Sequence, residues 1–191
     1  RTGLISLYEL HGEQKRTIIP DDQISTLIKK ATLVAEDSEF YQHSAFSWRS
    51  VVRAAFVNLS KGKIAQGGST ITQQLAKNAF LSSERTITRK VKELILAFQL
   101  EKRYSKDEIL NLYLNQIPYG ANAYGIEAAA QTFFDKSAKD LNLAEAALLV
   151  SLPKAPTYYS PWGGHLSELM ERKNSLVEEM AKANVITAEQ A

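Results

Sequence analysis

The chain has 191 residues, 45% of them hydrophobic, with 23 Lys and Arg against 21 Asp and Glu for a formal net charge of +2. That length and apolar content suffice to bury one core, as a single domain or as two lobes of one fold, and exclude a disordered tail. The near balance of charge excludes indiscriminate polyanion binding, so no nucleic-acid partner is expected, and the absence of cysteine excludes disulfides, thiol catalysis and thiolate metal sites.

His11, His43 and His165 lie too far apart in sequence to suggest a zinc site, and no run of about 18 apolar residues is present to span a bilayer. The chain opens on Arg1 rather than Met, and Thr187 with Gln190 has the form of a capping box opening a helix at the very end. Both predict a domain taken from a longer protein.

Residues 4–10 and 14–19 alternate loosely around His11-Gly12 and are closed by Pro20, which predicts a linker or short β hairpin over 1–20 and a main domain over 21–191. Everything beyond reads as helix. Ile24, Leu27, Ile28, Ala31, Val34 and Ala35 keep one-faced helical spacing, with Ser25 as cap and Glu36 and Asp37 at the C-terminal end, off the stripe. A second helix is predicted from about Ser47, burying Val51, Val52, Ala55, Phe56 and Leu59 and stopping near Gly62. Next comes Gly67 to Asn78, in which Thr70 with Gln73 has the form of a capping box.

From about Thr86 to Arg103, Ile87, Val91, Leu94, Ile95 and Phe98 form one stripe with Glu93 on the other side. Leu96, Ala97 and Leu100 follow Glu93 there, so past it the helix is apolar almost all round, as in a buried element, and a half-buried carboxylate is predicted. Box signatures at Ser105 with Glu108 and at Asn142 with Glu145 open two more helices. Pro118-Tyr119-Gly120 and Pro153 to Gly164 read as loops, and a last helix follows His165. The pattern is all-α, mainly α-helical with a short N-terminal β segment.

Two places carry chemistry. A glycine pair running into a capped helix presents backbone N–H groups and a helix N-terminus to one spot, which suits an anion. Lys77, Arg85, Arg89, Lys90 and Lys92 follow against only Glu84 and Glu93, so phosphate or diphosphate is the expected ligand; the plainer reading is a turn followed by a solvated charged face. Glu93 stands four residues after Arg89 and three after Lys90, which equally describes a surface ion pair. Burial would raise its pKa and the two cations would lower it, a balance the sequence leaves open. Glu36, Asp37 and Glu39 crowd a helix C-terminus against its dipole, a placement local stability would not select. That marks Glu36 as a candidate general base. The competing reading is that Glu36 and Asp37 solvate that helix end or cap a neighbouring helix, with His43 hydrogen-bonded in the turn.

Taken together the chain resembles the peptidoglycan glycosyltransferases of glycosyltransferase family 51, the transglycosylase domain of class A penicillin-binding proteins and of monofunctional transglycosylases. The resemblance runs from about Pro20 to the end. It rests on ordered motifs: Glu36-Asp37 with Phe40 and His43; Gly68-Ser69-Thr70-Ile71-Thr72-Gln73-Gln74 with Lys77-Asn78; Arg89-Lys90 with Glu93; Lys106, Ile109-Leu110 and Tyr113-Leu114-Asn115; and Arg172 with Leu176 and Met180. It implies a lysozyme-like, two-lobed helical domain whose smaller lobe contacts the membrane. It also implies that lipid II is polymerised into β-1,4-linked glycan with inversion, the growing lipid-linked glycan being the donor and undecaprenyl diphosphate the leaving group.

By motif, Glu36 is the expected base for the attacking 4-hydroxyl, and Glu93 assists at the diphosphate end by orienting cations or a divalent metal. Lys77 and Arg85 are expected on phosphate or sugar groups, and Arg89 with Lys90 or Lys92 on the departing diphosphate. Ser69, Thr70, Gln73, Gln74 and Asn78, with Asp37, Phe40 and Gly68, complete the expected substrate-binding set. The resemblance implies no obligatory cofactor, a divalent cation (Mg or Mn) remaining open. The implied setting is the outer face of the bacterial cytoplasmic membrane, with a transmembrane anchor outside this chain, a C-terminal transpeptidase domain as an expected companion, and inhibition by a phosphoglycolipid such as moenomycin. Residues 8–13 look more like the linker of a class A protein than a monofunctional enzyme. The family usually has Gly and Asp where this chain has Ala45 and Ser47, which questions the backbone of that loop. The alternatives are a lysozyme-like glycan hydrolase, which would not need five cations beside its acid, and a catalytically silent glycolipid-binding module.

Overall fold

The computed structural model describes residues 15–46, 68–81, 84 and 86–191. The helix expected from Ser47 to Gly62, most of the expected N-terminal hairpin, Gly67 and Arg85 lie outside the described residues.

The helices are α1 (Thr26–Glu36), α2 (Ile71–Phe80), α3 (Ile87–Arg103), α4 (Lys106–Gln116), α5 (Ile126–Phe134), α6 (Leu143–Ser151) and α7 (Leu166–Lys182). Three of the starts follow the capping chemistry read from the sequence, at Ser25, Ser105 and Asn142. Ser25 Oγ accepts from Leu27 N at 3.2 Å, and at α3 a cap the sequence reading did not name forms, Thr86 Oγ1 accepting from Arg89 N at 3.1 Å. Full reciprocal boxes form at Ser105 with Glu108 and at Asn142 with Glu145. Thr187 and Gln190 make the same reciprocal pair, at 2.9 and 3.2 Å, but it closes a turn rather than opening the expected helix.

Helix α2 departs from expectation. Thr70 Oγ1 accepts from Gln73 N at 3.2 Å, but the Gln73 amide does not reach back. Its Nε2 donates to the Ala45 carbonyl at 2.8 Å and its Oε1 accepts from Lys90 Nζ at 3.0 Å. A buried amide with partners from two other segments ties them together, which a local cap would not do. Ala45 is itself fully buried and is not among the described residues with positive φ, so alanine meets no backbone obstacle there.

The elements form two packing groups. Helices α1, α6 and α7 pack on one another, and α2 packs against α3 and α4. Between them Asp37, at the C-cap of α1, accepts from Ile71 N at the start of α2 through Oδ2 at 3.1 Å. The core includes Ile28, Phe40, Ile71, Tyr113, Leu149 and Leu169.

The Pro118 to Gly120 segment, expected as a loop, is a strand. It forms β2 (Pro118–Gly120), antiparallel to β3 (Ala123–Tyr124), and β3 pairs in parallel with β1 (Lys15–Arg16). The residues of β1 therefore find a partner about a hundred positions along the chain, a pairing local alternation cannot announce. Asn115, at the end of α4, fixes this edge: its Oδ1 accepts from Ile19 N at 2.9 Å and its Nδ2 donates to Ile19 O at 3.0 Å. Gly125 is required beside it, because at φ +86° an added Cβ would come within 2.6 Å of the Asn115 carbonyl oxygen.

Helix α3 corrects a further expectation. Its Ile87, Val91, Ile95 and Phe98 are 85%, 50%, 53% and 47% exposed, whereas Glu93, Ala97 and Leu100 are buried. The helix is not buried all round, and Glu93 is fully rather than half buried. Periodicity identifies apolar faces, and this helix has two; the one bearing Glu93 is turned inward.

Candidate active site

A cleft of about 730 Å³ opens between the two packing groups and is lined by both Glu36 and Glu93. From the first group α1 contributes Glu36 and α7 contributes Arg172, with Lys154 from the turn after α6; from the second, α2 contributes Gln74 and Lys77 and α3 contributes Arg89 and Lys90.

Glu36 is the last residue of α1, and its side chain is 12% exposed. Its Oε2 accepts from Gln74 Nε2 at 2.9 Å, while the Gln74 amide oxygen accepts from the Tyr113 hydroxyl at 3.2 Å. Tyr113 thereby turns the amide so that its N–H faces the acid. Glu36 Oε1 is buried with no hydrogen-bond partner among the described residues. Burial pushes the Glu36 pKa above 4.5, opposed by the Gln74 hydrogen bond and the charges of Arg172 and Lys154, and aided by Asp37. The free atom is a buried carboxylate oxygen with raised proton affinity.

Asp37, one residue on, is spent on the scaffold although it lines the same cleft. Oδ2 caps α2, Oδ1 lies 2.7 Å from His43 Nε2, and His43 Nδ1 lies 2.6 Å from the Ser44 carbonyl oxygen. The capping role the sequence left open thus falls to Asp37 alone.

On the wall from the second group, Glu93 is 2% exposed and its two oxygens are taken separately, Oε2 by Arg89 Nη1 at 2.7 Å and Oε1 by Lys90 Nζ. Lys90 Nζ also donates to Ser69 Oγ at 3.1 Å and to Gln73. The Glu93 ion pairs are therefore real but not on the outer surface: they form one wall of the cleft. Arg89 Nε is buried and has no partner among the described residues. A guanidinium N–H in that state suits an incoming anion.

The remaining expected residues divide. Ser69, Gln74 and Lys77 line the cleft. Thr70 and Gln73 are buried and both donate to the Ala45 carbonyl. Phe40 is fully buried beneath Lys106, whose Nζ lies 4.4 Å from the ring centroid, so its face is taken up inside the protein. Gly68 is half-buried, and Asn78 and Lys92 are exposed; none of the three lines the cleft. Arg85 lies outside the described residues. Lys154 and Arg172 were not among the expected site residues. Arg172 had a signal as the cation opening the last motif, whereas Lys154 sits in a proline-rich stretch with nothing local to mark it.

No group of three or more His, Asp or Glu able to hold a metal ion occurs among the described residues, and both Glu93 oxygens already face cations. These residues do not fit a protein-built cation site.

A buried carboxylate with an unpartnered oxygen and an acid-held pair of cations thus line one helical cleft, the kind of polar, charged hollow an enzyme site requires. The comparisons give the family. Residues 4–181 match the family model described as Transglycosylase, and the chain belongs to that family. It is 47% identical over 184 residues to a penicillin-binding protein 1A of Aquifex aeolicus, covering 96% of this chain and 25% of that protein. The counterpart of Pseudomonas aeruginosa is 47% identical over 175 residues, 92% of this chain and 21% of that protein. Among solved structures, penicillin-binding protein 1A of Haemophilus influenzae superposes with a TM-score of 0.55 at 26% identity, over 94% of this chain and 17% of that one. The chain spans a quarter or less of the length of these relatives.

Proposed function

We propose that this domain is a peptidoglycan glycosyltransferase that extends a lipid-linked glycan with lipid II and releases undecaprenyl diphosphate. The observation that carries the proposal is the shared cleft, with Glu36 Oε1 unbonded on the wall from one helix group and the Arg89, Lys90 and Glu93 cluster on the wall from the other. The donor diphosphate sits against Arg89 and Lys90, which Glu93 holds in place, with Lys77 beside them. The acceptor 4-hydroxyl approaches from the Glu36 side, and Oε1 takes its proton as the new C–O bond forms. The bond from the donor sugar to diphosphate breaks with its electrons going to the phosphate oxygens. Fixed cations contribute most where that charge develops. Attack opposite the leaving group inverts the anomeric centre.

The exposed row Ile87, Val91, Ile95 and Phe98 supports contact with the membrane that carries the lipid. No helix among the described residues is long and apolar enough to cross a membrane. The relatives' names and greater lengths support a transpeptidase domain in a full-length parent.

The test is to supply the purified domain with lipid II and, separately, with finished glycan. Chain growth from lipid II without shortening of glycan is expected. Shortening without growth would replace the proposal by a lysozyme-like hydrolase, and binding without either would make the domain a silent glycolipid module.

A further inference from the structure

We propose that Arg172 is a positioning residue of the glycosyl transfer, its guanidinium seated so that its charge lies beside Glu36 while the reacting oxygen stays free of any bond. The inference rests on the reading of Glu36 as the base.

The seat is built from three elements. Arg172 Nε donates to the Ser151 carbonyl at 3.0 Å, at the C-terminal end of α6, where the carbonyl dipoles favour a cation. Ser151 is 1% exposed and its hydroxyl donates to the Ala147 carbonyl at 2.8 Å, so the acceptor is rigid. The guanidinium carbon lies 6.0 Å from the centroid of the Tyr159 ring. Held in this way, Nη2 stands 3.9 Å from Glu36 Oε1, beyond hydrogen-bond range but inside the range of strong charge interaction.

That offset matters chemically. A guanidinium bonded to Oε1 would occupy the lone pair that must take the substrate proton. With no cation nearby, a buried carboxyl served by one neutral amide would keep its own proton and be unable to accept another. The other titratable groups acting on Glu36 among the described residues are Lys154 from the turn after α6, Asp37 at its own helix end, Tyr113 on α4 and Tyr119 on β2. Of these only Lys154 is cationic. Arg172 is the cation whose nitrogen stands within 4 Å of the acid.

The test is the pH profile of lipid II polymerisation for Arg172→Gln and Arg172→Lys, with thermal unfolding as a check on folding. Removing the charge favours the protonated acid, so the acidic limb should move to higher pH. At neutral pH kcat should fall about tenfold with KM unchanged, and the loss should be regained as the pH rises. Arg172→Lys keeps the charge, but its ammonium cannot occupy the Ser151 seat and stand beside Glu36 together, so an intermediate limb and kcat are expected. This variant decides the matter if Arg172→Gln does not fold. A pH-independent loss, a rise in KM alone, or wild-type kcat in Arg172→Lys would overturn the proposal. Glu36→Gln run in parallel separates the two layers: if it is active, the base assignment itself fails, whereas an inactive Glu36→Gln beside an unmoved Arg172→Gln profile removes only the role of the arginine.

Discussion

Glu36 and Asp37 are neighbours in sequence with opposite energetic roles, and the difference is measurable. Glu36 has a pKa raised by burial above its ordinary 4.5. A carboxyl that holds its proton more tightly when folded stabilises the fold below the unfolded value and loses that contribution as pH rises through the folded value. Glu36→Gln should therefore raise stability at neutral pH, with the gain vanishing as the pH falls below the ordinary glutamate value of 4.5, while destroying activity. Asp37→Ala should do the reverse. It strips the α2 cap and the His43 partner from a 4% exposed position and should cost about 2 to 3 kcal/mol. Urea unfolding of both variants at two pH values checks the pair, and stabilisation by Asp37→Ala or destabilisation by Glu36→Gln would break the division. The sequence singled out Glu36 because three acids at a helix C-terminus conflict with local stability. It left the capping role open between Glu36 and Asp37, since only the position of α2 decides which carboxylate reaches an orphan N–H.

At the scale of elements, helix starts were legible wherever the partners lie within four residues. Ser25, Ser105 and Asn142 all cap as read, because the geometry of a first turn is local. Gln73 escaped that reading because the Ala45 carbonyl and Lys90 compete for its amide from elsewhere in the chain. Strand β2 escaped it because its partner β3 is only two residues long and β3 in turn needs β1. The two-sided apolarity of α3 shows a further limit: spacing reveals a face, and only the neighbours decide which face turns inward. Its exposed row makes a specific prediction. Ile95→Ser with Phe98→Ser should leave the melting temperature nearly unchanged, since both residues are about half exposed, but lower co-sedimentation with anionic phospholipid vesicles about tenfold. Unchanged vesicle binding would dissociate that row from the membrane.

For the molecule as a whole, many motif residues divide between those that build the scaffold and those that line the cleft. Phe40 with Lys106, Asp37 with His43, Thr70 and Gln73 on Ala45, and Asn115 on Ile19 set the two helix groups in place. Glu36, Gln74, Lys77, Arg89, Lys90 and Glu93 then face one cleft between them. The cations of the second group were visible as a cluster because they follow one another along α2 and α3. The other wall was not, because Lys154 and Arg172 reach Glu36 only through the packing of α1, α6 and α7. The central claim is that binding and proton transfer belong to different walls of this cleft and are separable. The direct measurement is of Glu36→Gln, for binding of a phosphoglycolipid such as moenomycin and for lipid II polymerisation. Near wild-type affinity with polymerisation reduced by about 10³-fold or more is the predicted result; retained polymerisation would contradict it.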